Sequence, residues 1–240
     1  MNTDSLKALW KTVFGDTDVF IDSFFRIAYS PDRCRYMEEN GEAICALYWF
    51  DCSYEGGKLA YIYAVATHPE HRKKGLASQL LRQTHDHLKQ LGYAGAVLKP
   101  AKGLFPFYER LGYVTSGSIR RFYADSATIS TDLTALSPEE YGRHRKHFLP
   151  QNAIIQEDIT LDFLHSYASF YASSDALVCA IPQEGVILEY LGNPHSAPGI
   201  LAALGISEAE IPTVGNEIPF AMFHPLNCTR VPGYLGISLE

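Results

Sequence analysis

The sequence predicts an α+β fold built from two successive copies of one motif. Within each half a pair of helix-like apolar periods gives way to strand-like ones. The order helix, helix, strand, strand, glycine turn, helix occurs twice. The second glycine turn can also be laid on the first, His71, Gly75 and Leu76 meeting His195, Gly199 and Ile200 at one common offset. The copies are expected over residues 1–125 and 126–240. Two unrelated α+β halves that share a short coincidence are the weaker alternative, kept open by the small number of matched residues.

Each element has its local reason. Asp4 or Ser5 can cap a first helix, "SLKALWKTVFG", with Leu6, Leu9, Trp10 and Val13 on one face and Gly15 as its stop. "DVFIDSFFRIAY" is a second helix, ended by Pro31. "RCRYMEENGEAICALYWFDC" and "GKLAYIYAVAT" read as strands, with Asn40-Gly41 a tight hairpin turn and Gly56-Gly57 a second loop. Tyr61 and Tyr63 share one face of their strand, either to line an acceptor pocket or, as expected, to pack beneath a helix. From Leu76 to Leu91 leucines recur at helical spacing up to Gly92. "AGAVLKP" is a strand, "LFPFYERLG" a short helix and "YVTSGSIRRFYAD" a further strand. The pattern then restarts. "SPEEYGRHRKHFL" has Ser137 as N-cap, Pro138 in the first turn and Glu140 in the capping-box place. "DITLDFLHSYASFY" reads as a helix, "ALVCAI" and "GVILEYL" as strands, and "NPHSAPGILAALGI" as the second glycine turn and helix.

Composition narrows the function classes. With a formal net charge of −7 and a pI near 5.7, the 240-residue chain lacks the basic excess of a general nucleic-acid or anionic-membrane surface. Five cysteines (Cys34, Cys45, Cys52, Cys179, Cys228) form no CxxC pair and are expected to be free thiols in a reducing cytoplasm. "MNTDSLKALWKTVFGD" lacks a signal peptide's apolar core, and no run approaches the ~18 apolar residues of a membrane span. A cytoplasmic protein without nucleic-acid or membrane partners is expected. No HExxH or paired-ligand spacing appears, so no metal is expected. His85 and His87 cannot share a helix face and are expected on a solvated surface.

Against this acidic background, "HPEHRKKGLA" (68–77) is the informative stretch. A strand that ends in a glycine turn and enters a helix leaves backbone N–H groups unpaired beside the positive end of the helix dipole, which is an anion site. Gly75 lets the backbone approach a ligand, small Ala77 keeps the next turn open, and Arg72, Lys73 and Lys74 add positive charge around a polyphosphate. Neither GxGxxG nor GxxxxGK[ST] occurs in this stretch.

Arg72-Lys73-Lys74-Gly75-Leu76-Ala77 resembles the [Q/R]-x-x-G-x-[G/A] pyrophosphate loop of the Gcn5-related N-acetyltransferases (GNAT), and "FPFYERLGYV" (105–114) is similar to their later Y-E-x-x-G-[FY] segment. The resemblance covers about residues 5–125. It implies the acyl-CoA N-acyltransferase fold, a mixed and mostly antiparallel sheet flanked by helices, here in two tandem copies. It also implies acetyl-CoA as co-substrate, held by the backbone of Val65, Ala66 and Thr67 along the pantetheine arm and by Arg72, Lys73, Lys74, Gly75, Leu76, Ala77 and Ser78 around the pyrophosphate. Tyr108 matches the tyrosine that protonates the coenzyme sulfur in many members; the plainer role for it is an aromatic closing the short helix onto the core. Many relatives carry an asparagine where this chain has Ala101 and Lys102, and the prolines nearby resemble the tandem acetyltransferases. The implied activity is transfer of acetyl to a primary amine of a small molecule or peptide by direct attack, without a covalent enzyme intermediate. The alternative is an acyl-CoA-binding sensor without acceptor chemistry.

In the second copy, Ser196, Ala197 and Pro198 fall where the cations stand in the first, so a degenerate copy and one coenzyme per chain are expected. The general base stays open among Glu189, the C-terminal carboxylate of Glu240 and water. Burial would raise the pKa of Glu189; a strand-edge carboxylate facing water is the expected reading.

Overall fold

Asn40 and Gly41 both adopt positive φ (53° and 83°), as the tight turn between strands β1 (Cys34–Glu39) and β2 (Glu42–Tyr54) requires. The computed structural model describes residues 3–239. These form two compact units, one of residues up to Val114 together with Met222–Val231, the other of Thr115–Ala221 and Pro232 onward.

The first unit begins with α1 (Thr3–Phe14) and α2 (Asp18–Ile27). Thr17 caps α2 by accepting from the Phe20 amide. Ser5, a candidate cap, instead lies inside α1 and accepts a hydrogen bond from the Ala43 amide at 2.6 Å. The apolar face of α1 is driven into the sheet by Trp10, whose ring lies 4.6 Å from Phe24 and 5.6 Å from Tyr63. Tyr61 and Tyr63 are buried there with Phe50, so they pack beneath helices.

β2 pairs antiparallel with β3 (Gly57–Thr67), which pairs parallel with β4 (Gly95–Leu98). One irregularity shapes the sheet. Ala46 faces Ala66 and Tyr48 faces Tyr63, so Leu47 alone stands opposite both Ala64 and Val65. This is a β-bulge, with Ala64 at φ 48°. The pairing of β3 with β4 covers only Leu59, Ala60 and Tyr61, so beyond Tyr61 the β4-facing edge of β3 runs on without a strand partner among the described residues. A 3₁₀ turn (Pro69–His71) leads to α3 (Leu76–Gln90), and α4 (Phe105–Glu109) precedes β5 (Val114–Asp125). α3 and α4 cover one sheet face through Leu80, Leu81, Leu88 and Tyr108.

The sequence reading missed three strands, β6 (Thr134–Leu136), β10 (Glu208–Val214) and β11 (Ile218–Pro225). From Met222 on, β11 belongs to the first unit and pairs antiparallel with β4, Met222 facing Leu98 and Pro225 facing Gly95. A Cβ on Gly95 would meet the Phe223 ring at 2.1 Å, so glycine admits this pairing.

In the second unit, α5 (Pro138–Phe148) starts with the Ser137/Glu140 capping box, as expected. The following segment is not one helix. α6 (Ile159–His165) stops at Ser166, and β7 (Ser169–Ala172) follows, because Phe170 and Tyr171 join a ladder with β8 (Ala176–Ile181). β9 (Val186–Gly192) and α7 (Ala197–Leu204) complete the unit. Its strand order is β5-β10-β9-β8-β7-β6, and the order in the first unit is β1-β2-β3-β4-β11.

Candidate functional site

The stretch from His68 to Ser78 forms a turn whose geometry follows from its residues. Gly75 is the N-cap of α3 at φ 80°, a left-handed conformation that costs glycine little, and a Cβ there would meet nothing within 4 Å. Lys73 is also left-handed at φ 62°. Arg72 fixes the turn to the end of β3, its Nε donating to the Thr67 carbonyl at 3.2 Å. Because glycine offers no capping side chain, the first-turn amides of α3 keep no internal partner. α1, α2, α5 and α6 each carry an acidic residue in their first turn; α3, the longest helix, carries none.

This turn opens on a cleft of about 1140 Å³. Val65 and Thr67 reach it from the unpartnered edge of β3, Arg72, Lys73, Gly75, Leu76, Ala77 and Ser78 from the turn and α3, and Tyr108 from α4. Of the residues expected to hold a coenzyme, Ala66 and Lys74 do not line it: Ala66 is buried in the sheet, and Lys74 is exposed. The cleft adds residues that the sequence reading missed. Arg82 stands one turn beyond Ser78 on the same face of α3, a spacing that could have marked it. Leu104, Phe107 and Arg110 flank Tyr108, and Val13 and Phe14 come from the end of α1. The lining contains Arg72, Lys73, Arg82 and Arg110 and no aspartate or glutamate, in a chain of net charge −7.

Tyr108, on α4, is buried in the core and also lines the cleft. Its ring meets Tyr113 edge-on at 5.5 Å. Behind Tyr113 lies a polar group inside apolar packing. The Tyr113 hydroxyl and His85 Nε2 are 2.8 Å apart, and His85 stacks on His224 of β11 at 4.1 Å. His85 is therefore not on a solvated surface. Burial, then the neighbouring His224, lowers its pKa to about 3, so it is neutral at working pH. Gly112, at φ 85°, sits under the His224 ring, which a Cβ would approach to 3.2 Å.

The proposed bases fare differently. Glu189 is fully buried in the second unit, and both its readings, a proton acceptor and a carboxylate facing water, give way to an ion pair. Arg145 grips it bidentately, Nε donating to Oε2 at 2.7 Å and Nη2 to Oε1 at 2.8 Å, while the Tyr141 hydroxyl donates to Oε2 at 2.8 Å. Burial works against the Arg145 charge, and the adjacent Glu189 carboxylate overcomes it and raises the pKa. The C-terminal carboxylate of Glu240 lies outside the described residues.

The glycine turn of the second unit is built otherwise. Its 3₁₀ turn (Pro194–Ser196) runs directly into α7, whereas in the first unit Arg72–Gly75 separate the 3₁₀ turn Pro69–His71 from α3. The cation loop is thus absent rather than replaced residue for residue. Gly199 is helical, and a Cβ there would strike the Thr131 hydroxyl at 2.3 Å, so the matched glycines serve different ends. The segment before α5 covers this helix start, the Ala127 and Thr131 amides donating to the Pro198 and Gly199 carbonyls.

All five cysteines are free, with Cys228 alone partly accessible. Among the described residues no His, Cys, Asp and Glu group is arranged to hold a metal, and no helix is long and apolar enough to cross a membrane.

Comparison with known proteins gives the same frame. Residues 2–115 match the family model described as "Acetyltransferase (GNAT) domain". Among solved structures, the GCN5-related N-acetyltransferase from Kribbella flavida is 15% identical with a TM-score of 0.67, over 94% of this chain and 70% of that one. The GCN5-related N-acetyltransferase from Anabaena variabilis is 14% identical with a TM-score of 0.69, over 94% and 71%. A protein from Pyrococcus horikoshii assigned as an acetyltransferase is 14% identical with a TM-score of 0.65, over 98% and 90%. No curated protein matches. At such identities the structural likeness is one of fold, and that fold is the acyltransferase fold, a mixed sheet flanked by helices. The match over residues 2–115 marks that part of the chain as a GNAT acetyltransferase domain.

Proposed function

We propose that the protein is an acetyl-CoA-dependent N-acetyltransferase that passes acetyl to a primary amine of a small molecule or peptide. The observation that carries this reading is the cleft itself, whose carboxylate-free lining joins the cation-rich turn at the start of α3 to the unpartnered edge of β3 and to Tyr108. The coenzyme supplies an activated thioester. Amides of the first turn of α3, with Arg72 and Lys73, hold its diphosphate. The free edge of β3 at Val65 and Thr67 binds the pantetheine arm as an added strand would be bound and supplies N–H groups to a developing oxyanion. The Tyr108 hydroxyl returns a proton to the departing thiolate. No carboxylate lines the cleft, so the acceptor attacks as its free amine, and kcat/KM rises with pH as that amine deprotonates. The second unit, in which α5, α6, β7, β8, β9, α7 and β10 repeat the order of α1, α2, β1, β2, β3, α3 and β4 without the cation loop, serves as a degenerate copy, giving one coenzyme per chain.

The missing carboxylate also favours a second reading, an acyl-CoA sensor without acceptor chemistry. A thiol-release screen of amines, including polyamines, aminoglycosides and peptide amines, separates the two. The enzyme reading expects release matched by N-acetylated product, with Tyr108→Phe lowering kcat about 100-fold and leaving acetyl-CoA affinity unchanged. Coenzyme binding with no release for any amine would support the sensor.

A further inference from the structure

The charge along the cleft exceeds what a diphosphate needs. Arg72 and Lys73, with the dipole and amides of α3, match a diphosphate diester bearing one negative charge on each phosphate. Two further cations remain. Arg82 is six residues past Leu76, about 9 Å along the helix axis at ~1.5 Å per residue, beyond the first-turn amides. Arg110 follows α4 directly. Both side chains are exposed, both line the same cleft, and neither guanidinium has a carboxylate or hydrogen-bond partner among the described residues. Two other exposed arginines do find carboxylates, Arg121 with Glu210 and Arg230 with Glu55, while Arg26 and Arg143, outside the cleft, form no ion pair among the described residues either. Two guanidinium-bearing residues that line one acid-free cleft can be compensated there by a shared anion.

We propose that Arg82 and Arg110 form a subsite for the 3′-phosphomonoester on the ribose of free coenzyme A, so that the cleft selects acyl groups carried on the free coenzyme over those tethered to a carrier protein. The proposal rests on the coenzyme reading of the cleft. A phosphomonoester carries about −1.5 to −2 charges at pH 7, which balances the two remaining cations, and the planar guanidinium fork fits its oxygens in pairs. A phosphopantetheine arm on a carrier protein has a single phosphate joined to serine and no ribose phosphate. It would leave Arg82 and Arg110 uncompensated.

Calorimetric titration with acetyl-CoA and with acetyl-3′-dephospho-CoA tests this on the wild type, Arg82→Gln, Arg110→Gln and Lys89→Gln, an exposed α3 residue outside the cleft. The wild type and Lys89→Gln should bind acetyl-CoA at least tenfold more tightly than the dephospho form, about 1.4 kcal/mol. Each arginine variant should lose about that factor for acetyl-CoA and change less than about twofold for the dephospho form. Equal affinity of the wild type for both ligands would overturn the subsite, as would arginine variants that weaken both ligands alike. A wild type that binds neither ligand would instead overturn the coenzyme reading and the subsite with it.

Discussion

Glu189 and His85 show how little a residue's type says about its work until its surroundings are known. Glu189 is an acid in an apolar strand, a pattern that fits proton transfer, yet Arg145 and Tyr141 occupy its oxygens and hold it as an ion. Removing one partner from such a buried pair leaves an uncompensated charge, so Arg145→Leu should lower stability by about 3 kcal/mol or more in urea unfolding. Replacement of both by Arg145→Leu with Glu189→Leu should recover much of that loss, because the desolvation cost disappears with the charges. His85 makes a pH prediction. Its folded pKa of about 3 lies below the value near 6.5 of an unfolded histidine, so below pH 6.5 the unfolded chain takes up a proton that the native state refuses. Its contribution is complete above pH 6.5 and is lost as pH falls towards 3, with a limiting slope of about 1.4 kcal/mol per pH unit. Urea unfolding at pH 7, 6 and 5 should show this slope reduced by about one proton in His85→Phe; an unchanged slope would remove His85 as its source.

At the scale of elements, what could be read in the sequence was what local chemistry decides. The Asn40-Gly41 turn, the Ser137 capping box and the left-handed Gly75 are each specified by residues within a few positions. The turn before α3 belongs to this class, which is why most of the residues expected at the site line one cleft. Elements settled by pairing with distant chain were not legible. "DITLDFLHSYASFY" has helical spacing throughout, yet its second half is a strand because β8 offers it a ladder. β11 is recognisable only against β4, where Gly95 makes room for Phe223. The burial of His85 has the same origin, since the helix spacing does not reveal that His224 arrives from more than a hundred residues away to stack on it.

For the molecule as a whole, the consequence is that sequence order and folding units part company at Met222–Val231. Met222 and Phe223 are fully buried in the first unit, and the Asn227 amide donates to the Lys89 and Tyr93 carbonyls. A fragment ending at Asp125 therefore lacks a strand of its own sheet. It should unfold without a cooperative transition in urea, and a fragment as cooperative as the full chain would contradict this assignment.

The proposed coenzyme site lies at the left-handed turn of the first unit, with none in the second unit. Its most direct test is calorimetric titration of the full chain with acetyl-CoA beside a Gly75→Glu variant, whose carboxylate enters the open space at the start of α3 and repels a diphosphate. One acetyl-CoA per chain is expected for the wild type, with loss of binding in the variant. Two coenzymes per chain, or binding that survives Gly75→Glu in a folded variant, would contradict it.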